Sequence, residues 1–161
     1  MKLSQGVEWG LHAVTLLALA PPGGTVRRDA LAGHYGLPEA YLAKHLQAMT
    51  RAGVLHATTG PKGGYRLARP AEDITVLAVV EAIDGASPPF VCQEIRQGGT
   101  SALTPDECRR PCLIKTVMGK ADDAWRASLR GVTVADLAAG LPSRLRRRNT
   151  SLMAQAAAGL S

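Results

Sequence analysis

Aromatic side chains are scarce in this chain. One Phe, two Trp and three Tyr make up 4% of its 161 residues, and much of its 46% apolar content is alanine. Such a composition builds a thin core and favours a protein that completes its burial by dimerising. Cysteine is equally sparse. Three residues, an odd count, argue against a disulfide framework and for metal or redox use in a reducing compartment. Acidic residues are outnumbered, 13 against 19 basic ones, which leaves a net charge of +6. That balance favours a polyanionic partner, nucleic acid before membrane, although by itself it also serves solubility.

Long apolar runs are missing too. Leu11 to Ala20 loosely resembles the apolar part of a signal peptide, but Glu8 and His12 interrupt it and Pro21 and Pro22 sit where a peptidase needs an unrestricted chain. The run is also too short to span a bilayer, so a cytoplasmic protein is expected. There is no nucleophile triad, phosphate loop or cofactor fingerprint, and an enzyme is not expected.

What is present is a run of helical signals. Leu3, Val7, Leu11, Val14 and Ala18 step by three and four, predicting an amphipathic helix over 4–19 that Pro21-Pro22-Gly23-Gly24 ends. Thr25 is the expected cap of a second helix reaching about His34. A turn at Gly36-Leu37-Pro38 leads to a helix over 38–52, with Leu42, Leu46 and Met49 inward and Gly53 as its stop. Val54–Thr58 and Tyr65–Leu67 read as strands around the turn Gly60-Pro61-Lys62-Gly63-Gly64. Further helices are expected from about Thr75 to Ile83, from Cys112 to Arg130 and over 133–140.

Helix, turn, helix and hairpin in that order describe a winged helix-turn-helix. The expected fold is mainly α with a small β-hairpin wing and a long C-terminal dimerisation helix. The expected division is a DNA-binding domain over 1–84, a loop over 85–111, dimerisation helices over 112–140 and a basic tail over 141–161 whose order stays open. In this motif the second helix enters the major groove N-terminus first. Ala40, Tyr41, Lys44, Gln47 and Arg51 fall on or near its outward face. Lys44 and Gln47 suit base edges and Arg51 suits phosphate. Arg27, Arg28 and Lys62 suit backbone phosphates, and Gly63 beside Lys62 allows close approach to DNA. An unrelated helical hairpin with solvated charges is the bland alternative, and it leaves the wing unexplained.

Glu8 and His12 stand four residues apart on the first helix, so carboxylate and imidazole share one face near its packing boundary, half shielded from water. Cys108 and Cys112 repeat the spacing, with Pro111 indicating that a loop sets their geometry. Two harder donors and two soft ones suit a binuclear iron–sulfur cluster. Taken alone, Glu-x-x-x-His is more often a solvated face and a hydrogen-bonded histidine, and a C-x₃-C thiol is more often simply buried. Cys92 is either a spare thiol or a substitute ligand. His34, His45 and His56 read as structural or DNA-facing.

Tyr41–Met49, Arg51–Leu55, Gly60–Leu67, Ile74-Thr75 and Val79–Gly85, with a cysteine-bearing loop ahead of a long helix, resemble the iron–sulfur regulator family of IscR and NsrR. The resemblance covers about residues 1–135. The spacing departs from the commoner pattern of three clustered cysteines, since 15 residues separate Cys92 from Cys108 and three separate Cys108 from Cys112. With Val7-Glu8-Trp9, His12, Phe90-Val91-Cys92, Glu94–Gln97 and Ala124–Leu129 the chain looks closest to redox regulators of the RsrR type. That resemblance implies a homodimeric repressor of a palindromic DNA operator. It also implies a [2Fe–2S] cluster held by Glu8, His12, Cys108 and Cys112, with helix one from one subunit and the cysteine loop from the other. Two thiolates and one carboxylate leave the oxidised cluster with a formal charge of −1, against −2 for four thiolates, which should ease reduction. Trp9, adjoining Glu8, is the expected signal relay. A thiol switch, a zinc site from the same donors and nitric oxide sensing are the alternatives.

Overall fold

The computed structural model of the protein describes residues 2–60 and 63–159. Nine elements follow in order: α1 (Gln5–Leu17), α2 (Arg28–Tyr35), α3 (Glu39–Arg51), β1 (Leu55–Thr58), β2 (Gly64–Leu67), α4 (Val76–Asp84), α5 (Leu113–Arg130), α6 (Val134–Ala139) and α7 (Ser143–Ala157). The architecture is therefore mainly helical with a two-stranded antiparallel wing, in which Leu55 faces Leu67 and Thr58 faces Gly64. Of the described residues, 2–60, 63–86 and 129–159 form one compact unit, and 87–128 form another.

The first unit owes its order to apolar periodicity. α1 buries Val7, Ala13, Val14, Leu16 and Leu17, and α3 buries Leu42, Leu46 and Met49. With Leu31, Val54, Leu55, Ile74 and Val79 they make one core of aliphatic side chains. Burying each such side chain contributes about 1.5–3 kcal/mol. α1 packs on α3, α4, α6 and α7. Its approach to α3 depends on Gly6, where a Cβ would collide with the His45 ring. Both ends of α1's neighbourhood are pinned by polar groups. The Ser4 backbone N–H donates to Asp84 at 2.8 Å, which ties the start of α1 to the end of α4. The Thr75 hydroxyl caps α4 by accepting from the Ala78 N–H at 3.1 Å, and Thr133 with Asp136 forms a capping box on α6.

Two expectations are corrected. Thr25 does not cap α2; Arg27 occupies that position. Val26 exchanges backbone hydrogen bonds with Tyr65 at 2.8 and 2.9 Å, so Val26 is held against the wing and the helix starts later. Glu8 and His12, expected to be half shielded, are both exposed within the chain. The core face of α1 runs through Gly6, Val7, Gly10, Ala13 and Val14, and residues 8 and 12 lie off its edge.

The basic tail is a helix. Asn149, Met153 and Ala156 of α7 are buried, while Arg144, Arg146, Arg147 and Arg148 are exposed. The 87–128 unit is built differently. It holds a loop with 3₁₀ turns at Ile95–Gln97 and Glu107–Arg109, and then most of α5, an 18-residue helix with no buried residue among those described.

Candidate metal centre and nucleic-acid interface

α3 presents Ala40, Tyr41, Lys44, Gln47 and Arg51 to solvent, opposite its buried Leu42, Leu46 and Met49. The Lys44 ammonium lies 5.4 Å from the centre of the Tyr41 ring, a cation–π contact that restrains it without neutralising it. Gly63 is half-buried at the wing, and Lys62 lies outside the described residues.

Arg27 and Arg28 stand at the start of α2, both with carboxylate partners. Arg27 pairs with Asp29 at 2.8 Å and Arg28 with Glu39 at 2.6 Å. The Arg27 hydrogen bond holds the Asp29 carboxyl below its ordinary range. Glu39 begins α3, so the second pair ties the two helices of the helix-turn-helix together. These residues border a cavity of about 390 Å³ that also takes in Thr58, Gly63 and Tyr65 of the wing. Both pairs are exposed to solvent and salt, so a phosphate can displace either carboxylate.

On α1, Glu8 and His12 are exposed on the same face, and the residues around them reach both helices of the motif. The Trp9 ring meets the His45 ring of α3 edge-on, with centroids 6.1 Å apart. The His12 ring tilts against Tyr35, the last residue of α2, at 4.9 Å. Tyr35 in turn meets His34 at 4.6 Å. Burial pushes the Tyr35 phenol above its ordinary value.

In the 87–128 unit the three cysteines are half-buried and free of disulfides. Cys108 sits in the second 3₁₀ turn, and Cys112 immediately precedes α5, whose first turn closes on the Cys112 carbonyl through the Thr116 N–H at 3.0 Å. Pro111 separates turn from helix, so the two thiols are set by a loop rather than by a common helix face. Cys92 and Cys112 both line an apolar cavity of about 240 Å³. Arg96 ties this region together. It pairs with Glu94, and it donates to the Arg110 carbonyl at 3.3 Å. Its guanidinium is held above its ordinary range by the Glu94 hydrogen bond first, with smaller contributions from nearby Cys108 and Cys112.

Among the described residues, no three His, Cys, Asp or Glu side chains converge to hold a metal ion within one chain. The donor chemistry nonetheless fits the expected cluster in two halves. Each half is a pair: an exposed carboxylate and imidazole on α1, and two thiols beside an arginine.

Sequence reasoning missed Asp29, Glu39 and Tyr35; it read His45 as structural or DNA-facing, in keeping with its packing on Trp9, and gave Arg96 only within the Glu94–Gln97 segment. The His45 position carried a signal, because a glycine on α1 and a ring on α3 are complementary where two helices pass closely. Arg96 lies in a loop without periodicity, so its pairing with Glu94 carried no signal of its own.

A family profile described as "Iron-dependent Transcriptional regulator", Rrf2, matches residues 3–140. Protein rrf2 of Nitratidesulfovibrio vulgaris is 32% identical over 139 residues, covering 85% of this chain and 87% of that protein. Protein aau3 of Rhizobium meliloti is 32% identical over 133 residues, covering 81% and 82%. Among solved structures, CymR, the global cysteine regulator of B. subtilis, superposes with a TM-score of 0.68 at 22% identity, over 88% of this chain and 99% of that one. IscR of T. potens superposes with a TM-score of 0.62 at 26% identity, over 85% of each chain. The likeness covers most of the chain, so the winged-helix architecture is shared.

Proposed function

We propose that this chain, which belongs to the Rrf2 family of winged-helix transcriptional regulators, is a homodimeric repressor that reads redox state through a [2Fe–2S] cluster. The RsrR type within the family is the finer assignment. Glu8 and His12 of one subunit and Cys108 and Cys112 of the other are its ligands. One observation carries this reading: Glu8 and His12 are exposed together on the one helix whose neighbouring rings touch both helices of the DNA-binding motif.

When bound, the cluster supplies a reversible one-electron change of charge. The protein's own residues do the rest. Glu8 and His12 would be the cluster's carboxylate and imidazole ligands. Cys108 and Cys112 would be its thiolate ligands, with the Arg96 guanidinium close by. Trp9 carries displacement of α1 to α3 through His45, and Tyr35 carries it to α2. A palindromic operator presents two half-sites about 34 Å apart, which the paired recognition helices must match, so a small change in their separation alters affinity. Ala40, Tyr41, Lys44, Gln47 and Arg51 read the groove, and Arg27, Arg28, Lys62 and Gly63 approach the backbone.

A thiol switch is the second reading. It is favoured by Cys92 and Cys112 lining the same cavity. The ultraviolet–visible spectrum of anaerobically purified protein, before and after dithionite, separates the two. A brown sample whose visible bands bleach and return in air is expected, with colour lost on replacing Glu8, His12, Cys108 or Cys112. A colourless, iron-free sample that loses two titratable thiols on oxidation would overturn the cluster and leave the thiol switch.

A further inference from the structure

We propose that α7 is a second DNA-contacting element, whose Arg144, Arg147 and Arg148 grip the phosphate backbone beside the groove that α3 enters. The inference rests on the DNA-binding reading above and is independent of the cluster. The family profile ends at residue 140, so α7 lies outside the matched region.

A run of arginines is ordinarily a solvated tail, but this one is fixed in place. Asn149, Met153 and Ala156 are buried and seat α7 on the core unit, where it packs on α1. Arg144, Arg147 and Arg148 stand three and four residues apart, so they share one exposed face, which Ser151 and Gln155 continue. Arg146 is turned to the other side of the helix, in line with Asn149 and Met153.

The arginine face has no counter-charge. Arg27, Arg28, Arg96, Arg109 and Arg126 each have a carboxylate partner. The arginines of α7 have none among the described residues, and no Asp or Glu follows Asp136 in the sequence. Arg144 and Arg146 also lie in the first turn of α7, where the helix dipole favours acidic residues. That turn holds no acidic residue, and no side chain caps it. Such a start is unfavourable in the free protein and is relieved by a polyanion.

Position selects DNA as that polyanion. α7 runs beside α2 in the opposite sense. A Cβ on Gly24, ahead of α2, would stand 3.1 Å from that of Ala157, while Arg148 and His34 border one groove at the other end. Arg147 and Arg144 come earlier on α7, so they overhang the end of α2 by up to about 6 Å, toward the turn at Gly36 that leads into α3. The recognition helix enters the groove N-terminus first, so the phosphates flanking the groove pass beside that turn. A guanidinium grips a phosphate with paired hydrogen bonds.

The test uses the full chain and a fluorescein-labelled duplex of mixed sequence, about 30 base pairs long, because phosphate contacts carry no sequence information. Anisotropy is read over a salt series. The triple variant Arg144→Gln, Arg147→Gln, Arg148→Gln should bind more than about tenfold more weakly at about 0.1 M salt, and its plot of log affinity against log salt should flatten by about 0.9 for each phosphate lost. Gln matches Arg closely in helix propensity, so the triple variant should melt no lower than the parent. Arg147→Gln alone should weaken binding about fivefold or more, whereas Arg146→Gln, which removes the same charge from the other face, should change it less than about twofold. Arg28→Gln, in the helix-turn-helix itself, tells the two readings apart. If it weakens binding while the triple variant binds like the parent, DNA binding stands and the α7 contact is overturned, leaving its face to an acidic protein segment. Equal losses in Arg146→Gln and Arg147→Gln would reduce α7 to bulk charge and overturn the contact too. A parent without salt-sensitive binding would overturn both readings.

Discussion

α3 and α5 each turn a whole face to solvent, and the two faces are opposites. α3 is 13 residues long, buries Leu42, Leu46 and Met49, and exposes Lys44, Gln47 and Arg51. α5 is 18 residues long, buries nothing among the described residues, and exposes Leu113, Ile114, Val117 and Met118, with Leu113 at 75%. The first helix has already found its apolar partner within the chain, and what remains outward is polar and cationic. The second has its apolar face still to cover. An exposed apolar stripe on a long helix suits a protein interface, and in the homodimer proposed above a second α5 would cover it. The contrast teaches that the chain is finished as a fold around α3 and unfinished around α5.

The largest expected effect breaks the α5 side. Val117→Asp puts an unpaired carboxylate into an apolar contact, at a cost of several kcal/mol if the contact is a dimer seam. Sedimentation at micromolar concentration should show monomer where the parent shows dimer, and operator binding should fall with it. Far-ultraviolet dichroism should stay near the parent's, because the core unit does not use that side chain. A dimer that survives would remove α5 from the interface.

A smaller effect sharpens the α3 side. Glu39→Gln releases Arg28 from its 2.6 Å pair. Operator affinity should rise, by up to about fivefold, since an exposed pair contributes about 0–1 kcal/mol. The plot of log affinity against log salt should steepen by about 0.9 if Arg28 gains one phosphate. Self-association, being apolar, should not share that salt dependence. An unchanged slope would mean that Arg28 does not meet DNA.

The smallest effect concerns pH. His34 titrates lower in the folded chain than in the unfolded one, because burial first, and the Arg148 charge second, disfavour imidazolium. As pH falls through about 6.5 the unfolded chain takes the proton first, so stability present above that value is lost below it. Melting at pH 5.5 should therefore come lower than at pH 7.5, and His34→Gln should narrow the difference. An identical difference in the variant would assign it to other groups.

Much of the fold was legible because periodicity is local. Leu42, Leu46 and Met49 named the buried face of α3, and the glycines around residue 60 named the wing. Thr25 misled because a backbone pairing between Val26 and Tyr65 is a long-range event that overrides a good capping residue. Glu8 and His12 were placed on the right helix, but their exposure depends on which edge of α1 the rest of the chain covers. Asp29 and Glu39 look like ordinary surface carboxylates until the fold brings them to Arg27 and Arg28. Tyr35 was invisible for the same reason, since its contact with His12 joins the end of one helix to the middle of another. α7 reads as a string of arginines, and its few buried residues, Asn149, Met153 and Ala156, are spaced too sparsely to reveal the face they form.

If α1 carries the signal as proposed, the bond from Ser4 to Asp84 makes its start the fulcrum of a lever. Its first residues are held to the end of α4, while the helix beyond runs past α3 and α2. At about 1.5 Å of rise per residue, Trp9 lies about 7.5 Å from that fulcrum and His12 about 12 Å. A tilt about the fixed end therefore moves His12 about 1.6 times as far as Trp9. Work done at the far end arrives at His45 as a shorter stroke with proportionately greater force, the gearing needed to shift a helix seated in a close-packed core.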